Sequence, residues 1–162
     1  MHTPGHTPGH LCFVDEAAQR LFAGDHILPR ITPNISLSVH PAERDAPLFH
    51  YLRSLAKVRD LDVDEIMPAH EWRFRGLAER ADDIAAHHER RLAELLAAIA
   101  AHPDATSWDL ASLLTWSRSW DQYHGRMRIS AVTETAAHVL ELVRRGLVSA
   151  SGGTTPTYRV VG

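Results

Sequence analysis

The first ten residues, MHTPGHTPGH (residues 1–10), place histidines at positions 2, 6 and 10. Pro4 and Pro8 interrupt any helical ladder and a glycine follows each, so the stretch reads as a loop. Beyond it, LCFV (11–14) and RLFAG (20–24) flank the polar run DEAAQ and predict a β-hairpin. His6 then lies just before the first strand and Asp25 just after the second. An antiparallel hairpin brings both open ends to one edge. A helix follows, opened by Pro41 or by Pro47, with Leu48, Leu52, Leu55 and Ala56 as its apolar face. LDVDEIMPAH (61–70) reads as a strand around Glu65–Met67 that ends in a loop at Pro68. Strand, helix and strand make a βαβ unit, whose strands run parallel. Asp25 and His70 therefore follow the C-terminal ends of neighbouring strands, the edge at which open sheets bind ligands. His6, Asp25 and His70, remote in sequence, are expected to meet in space.

Two imidazoles and a carboxylate suit a borderline divalent metal such as zinc, for which three protein ligands are the usual minimum. Spacing alone leaves a second reading open, a glycine-rich loop with solvated histidines.

The rest of the chain is mostly helical in pattern. Leu77, Ala81, Ile84, His88, Leu92, Leu95 and Ile99 form one stripe of a helix over Leu77–Ala101, which Pro103 ends. His88 on that stripe reads as a packed core histidine. TSWD (106–109) offers a capping box, with Thr106 as cap and Asp109 three residues on. Trp108, Trp116 and Trp120 around the next short helix predict a small aromatic core. Ser130–Arg145 forms a further helix, with Val132, Ala136, Val139, Leu140 and Val143 inward and Gly146 as its stop. The tail LVSASGGTTPTYRVV (147–161) reads as two strands around a Gly-Gly turn. Helices followed by a hairpin make a winged-helix pattern. The predicted division is residues 1–102 and residues 103–162.

Composition limits the function classes. Hydrophobic residues are 44% and charged residues 23% of 162, as in a soluble globular protein. No apolar run approaches ~18 residues, so no membrane span is expected. No basic-then-apolar leader is visible, and Cys12 is the only cysteine, which fits a reducing, cytoplasmic setting. The net charge is −3, without the electrostatic footprint of a nucleic-acid binder. The last long helix sets Glu134 and Glu141 against Arg144 and Arg145 and has no basic stripe. DNA is therefore not an expected partner.

HTPGHTPGH, LFAGDHIL, IMPAH and ISAVTETAAHVLELVRRGLV together resemble the metallo-beta-lactamase fold hydrolases. Within them the resemblance is to the type II glyoxalase and beta-lactamase-like 2 group, and it covers nearly the whole chain. It implies an α/β architecture: the second half of an αβ/βα sandwich, followed by a small winged-helix domain. It also implies that His6 is a ligand of a first metal, that Asp25 bridges two metals as the catalytic carboxylate, and that His70 ligates the second. His10 would support these ligands from behind. His26 would line the substrate pocket or make a structural hydrogen bond, and His2 has no implied role. Zinc, iron or manganese would suit the ligand set.

The family's His-x-His-x-Asp-His motif, with four more ligands, does not occur in these residues. It would lie upstream of His6. The chain is accordingly expected to contain only the C-terminal half of the sandwich, to hold metal weakly and to show little turnover by itself. It would either form a homodimer or belong with a missing N-terminal half. The activity implied for the parent family is hydrolysis of a small-molecule thioester or related ester. The alternatives are RNA phosphodiester hydrolysis and a non-catalytic remnant or winged-helix binding module. Glu71, where many relatives carry a small residue, is expected either to pair with a cation or to narrow the pocket. Arg30 and Asn34 could orient a substrate.

Overall fold

In a computed structural model, residues 1–37 and 46–162 are described. They divide into two compact units, Met1–Ile35 with Pro47–His88, and a second built on Glu89–Gly162. The helix Leu77–Ala101 contributes to both, so the division falls within it, ahead of Pro103.

The first unit contains β1 (Phe13–Asp15), β2 (Arg20–Gly24), α1 (Pro47–Arg59), β3 (Glu65–Pro68) and the start of α2 (Leu77–Ala101). The sheet order is β1-β2-β3, with β1 antiparallel and β3 parallel to β2. The hairpin and the βαβ unit expected from the sequence are both present. Leu21, Ala23 and Ile66 are buried, as are Leu48, Tyr51, Leu55 and Val58 of α1 and Leu77, Ala81 and Ile84 of α2. On α1 the buried stripe is rotated from the expected one. Ala56 is exposed, while Tyr51, Ser54 and Val58 face inward. Tyr51 explains the rotation, because its hydroxyl donates to the His26 carbonyl at 2.7 Å and gives the ring a satisfied buried place. The alternative helix start at Pro41 lies outside the described residues.

Strand alternation splits the apolar runs between the two sheet faces. Cys12, Leu21, Ala23 and Ile66 are fully buried, whereas Leu11, Phe13 and Phe22 are 46%, 59% and 44% exposed. Phe13 pairs with Phe22, and Phe22 with Met67, across three strands, so one sheet face carries an apolar ridge.

The second unit holds the rest of α2, β4 (Ala105–Thr106), α3 (Ser107–Leu113), a 3₁₀ turn at Trp120–Gln122, α4 (Gly125–Arg144), β5 (Val148–Ala150) and β6 (Thr157–Val160). Its antiparallel sheet has the order β4-β6-β5. The predicted capping box forms, with Thr106 and Asp109 each bonding the other's backbone N–H. α4 begins five residues before Ser130, at Gly125. Arg128 anchors this added turn, with its guanidinium 5.0 Å from the Trp120 ring and a hydrogen bond to the Trp120 carbonyl. The buried face of α4 also differs from the apolar pattern. Thr135, Glu141 and Leu142 are buried with Val139, whereas Val132, Ala136, Leu140 and Val143, expected inward, are only partly covered. Glu141 reaches the interior because Arg144 and Arg145 both bond its carboxylate. Trp116 and Trp120 are half-buried, but Trp108 is 52% exposed, so the expected aromatic core is open on one side.

Candidate metal centre

Two glycines, Gly5 in the loop of residues 1–10 and Gly24 at the end of β2, shape the site. Gly5 has φ +142°, and a Cβ there would lie 2.3 Å from the Tyr51 Cβ. α1 thus docks directly onto the loop, and Ser54 Oγ donates to the Pro4 carbonyl at 2.8 Å. Gly24, with φ +54°, ends β2; a Cβ there would sit 2.7 Å from His10 Nε2. The backbone turns sharply at this point. The Asp25 N–H then donates to His10 Nε2 at 3.2 Å, and the Ala69 N–H to the Gly24 carbonyl at 2.9 Å.

Asp25 and His70 therefore leave the sheet side by side, and the loop brings His6 to the same place. One carboxylate oxygen of Asp25, Oδ1, lies 3.2 Å from His70 Nε2; the other, Oδ2, lies 3.7 Å from His6 Nε2. His6 Nδ1 is 3.0 Å from the Asn34 carbonyl. A carbonyl only accepts, so Nδ1 carries the proton and Nε2 is turned toward Asp25. A lone pair facing a carboxylate is unfavourable unless a proton or a cation lies between them. The donor chemistry thus fits a divalent metal at each oxygen of a shared carboxylate. It does not make a single three-ligand site: among the described residues no three His, Cys, Asp or Glu side chains form a group able to hold one ion. The three residues meet around Asp25, with one carboxylate oxygen toward each imidazole.

His10 has both ring nitrogens engaged. Nε2 accepts from Asp25, which leaves Nδ1–H to donate to Thr3 Oγ1 at 2.9 Å. Burial and the neighbouring His6 lower its pKa, and Asp25 only partly opposes them, so the neutral ring these bonds require is the favoured form. His26 is fully buried between His10 and Tyr51, with ring centroids at 5.8 Å and 5.1 Å, and it does not line the cleft. Burial, together with His10, lowers its pKa to about 4, against the opposing effect of the Ser54 backbone. Of the two expected roles, pocket lining and structural, its place under the site as a neutral ring leaves the structural one. His2 bonds the Pro8 carbonyl, and His88 lies buried, edge-on to Tyr51.

A cleft of about 360 Å³ opens beside the three residues, walled by Leu28, Ile31, Thr32, Pro33 and Asn34. Two charged side chains fix that wall. Arg80 of α2 donates to the carbonyls of Leu28, Arg30 and Ile31. Glu71 accepts from the N–H groups of Arg30 and Ile31 at 3.1 and 3.4 Å, and pairs with the Arg30 guanidinium at 3.1 Å. Glu71 is thus a pairing residue, and Arg30 is held by it. Asn34 acts through its backbone carbonyl, on His6. Glu71 itself has φ +69°, a conformation that glycine adopts without cost. No sequence signal marks the Asn34 carbonyl, since any residue supplies one. Arg80 and Glu71 have the pattern of ordinary helix and loop charges.

Residues 1–70 match the family model of the metallo-beta-lactamase superfamily. A metallo-beta-lactamase family protein from Thermus thermophilus superposes with a TM-score of 0.83 at 31% identity, over 99% of this chain and 48% of its own. The chain has the metallo-beta-lactamase fold. A beta-lactamase domain protein from Burkholderia ambifaria gives a TM-score of 0.85 at 30% identity, over 98% of this chain and 46% of that one. The Beta-lactamase-like protein 2 homolog of Caenorhabditis elegans is 26% identical over 146 residues, 90% of this chain and 44% of that protein. Lactamase-like protein adaB of Aspergillus niger is 32% identical over 97 residues, 60% of this chain and 27% of its own length. This metallo-beta-lactamase-fold chain therefore spans about half the length of these solved relatives, and less than half of the curated ones. Among its described residues no helix is long and apolar enough to cross a membrane.

Proposed function

We propose that this chain contributes the His6–Asp25–His70 part of a dinuclear hydrolytic centre acting on a thioester or related ester. The observation that carries the reading is the division of Asp25, with one oxygen toward each imidazole. His6 and Asp25 Oδ2 would hold one divalent metal, and His70 and Asp25 Oδ1 the other. Bound there, zinc, iron or manganese supplies Lewis acidity and an activated water. The chain's own residues prepare the site. The Asn34 carbonyl sets the His6 tautomer, and His10 fixes the backbone that presents Asp25. Leu28, Ile31 and Pro33 offer an apolar wall for an acyl group, while Thr32 and Asn34 keep one side polar. The helix-and-hairpin order of the second unit supports its winged-helix reading.

Cobalt(II) titration followed by turnover tests the proposal. Cobalt absorption bands should appear with the wild-type chain and weaken strongly in Asp25→Ala. On a protein that also carries the His-x-His-x-Asp-His segment, thioester hydrolysis lost in Asp25→Ala supports the ester reading. Cleavage of single-stranded RNA without thioester turnover would replace it with phosphodiester hydrolysis. Equal cobalt binding by wild type and Asp25→Ala would overturn both.

A further inference from the structure

A second cleft, of about 350 Å³, lies where the loop of residues 1–10 meets α1, lined by His2, Pro4, His50, Arg53, Ser54 and Lys57. None of these residues belongs to the Asp25 cleft. Arg53 and Lys57 stand four residues apart and so share one face of α1. α1 itself, PLFHYLRSLAKVR, contains no carboxylate. Elsewhere in this unit Arg20 is paired with Glu65, Arg30 with Glu71 and Arg59 with Asp82. Arg53 and Lys57 make no ion pair among the described residues. Arg53 lies over the Phe49 ring at 5.5 Å, and Lys57 Nζ reaches only the His2 carbonyl at 3.3 Å.

Two like charges one helical turn apart repel, and a concave wall concentrates their field. An anion would relieve that repulsion. A guanidinium suits the forked oxygens of a phosphate, and an ammonium adds a point charge beside it. The volume lies in the range of small-molecule sites, so it leaves space for an organic fragment attached to the phosphate.

We propose that this cleft is a phosphate-binding site, filled by inorganic phosphate or by the phosphate of a small organic ester. A bound phosphate would lie between Arg53 and Lys57 of α1, beside the loop that carries His6. The site does not depend on the metal reading, and it is tested with metal removed.

Amide NMR of the chelator-treated 162-residue chain, titrated with inorganic phosphate, reads the site directly. The expected result is saturable shifts at His2, Thr3, Arg53, Ser54 and Lys57, absent with sodium chloride at matched ionic strength. Arg53→Gln with Lys57→Gln should weaken the response by about tenfold or more. These are exposed side chains, and an unchanged amide spectrum elsewhere shows that the variant is folded. A parallel titration with adenosine monophosphate separates the sources: tighter binding than phosphate assigns the site to an organic phosphate, and equal or weaker binding to the free ion. No saturable shift, shifts confined to His6 and His70, or an undiminished response in the double variant would overturn the proposal.

Discussion

Replacing Glu71 by alanine tests whether the wall of the Asp25 cleft is held from outside. The Glu71 side chain is only 12% exposed and receives three hydrogens, from the Arg30 and Ile31 amides and the Arg30 guanidinium. The Ile31 contact, at 3.4 Å, is long and weak. The other two are charge-assisted, and such bonds contribute roughly 1.5–3 kcal/mol each, less where solvent reaches the arginine. A net local loss of about 2–3 kcal/mol is therefore expected. Alanine keeps the left-handed backbone at this position and so isolates the carboxylate. Glycine would also release about 1 kcal/mol of backbone strain and should lose less. Native-state hydrogen exchange is the assay. Protection of the Arg30 and Ile31 amides should fall about 30- to 150-fold in Glu71→Ala, by the usual conversion of about 1.36 kcal/mol per decade. It should fall less in Glu71→Gly, while α2 amides stay unchanged. His6 depends on Asn34 at the far end of the same segment, so cobalt affinity should weaken as well. Unchanged protection at Arg30 and Ile31 would refute the clamp, and a larger loss in glycine than in alanine would refute the strain argument.

Three other outcomes follow from the packing. Gly5→Ala sets a Cβ against Tyr51 and requires a φ that alanine rarely adopts; thermal denaturation should show a loss of more than about 2 kcal/mol, and an unchanged Tm would contradict the docking of loop on α1. Burial raises the Glu134 carboxyl to about 7, against the pull of Arg91, so the unfolded chain holds fewer protons between about pH 4.5 and 7 and stability falls as pH rises through that window. Glu134→Gln should flatten that fall and raise Tm at about pH 8 by about 3 °C, for a gain of ~1 kcal/mol, whereas a lower Tm there would show that the carboxylate is stabilised. The exposed ridge of Phe13 and Phe22 should make the 18.1 kDa chain self-associate, and Phe13→Ser with Phe22→Ser should shift sedimentation toward monomer; a wild-type chain that sediments as a monomer at high concentration would refute this.

What was legible in the sequence was whatever depends on period and topology. The α2 stripe from Leu77 to Ile99 is buried throughout, because a 3.6-residue repeat of apolar side chains has one way to face a core. The meeting of His6, Asp25 and His70 also followed from chain direction alone, since hairpin and βαβ geometry leave little choice of edge. The family resemblance rested on the motifs around those residues and on the sequence of α4. Other features depended on partners that no local pattern names. Glu141 turned inward because two arginines reached it, and α4 began early because Arg128 found Trp120. Tyr51 took the place on α1 that Ala56 was expected to share, because the His26 carbonyl was there to receive its hydroxyl. At the Asp25 cleft, the His6 tautomer is set by a backbone carbonyl 28 residues away, and the wall by Glu71 and Arg80. Along α2 hydrophobic burial follows the side chain's own chemistry and its period, so there sequence by itself determined it. A hydrogen bond or ion pair needs a second group at a definite distance and angle, and only the tertiary structure decides where that group stands.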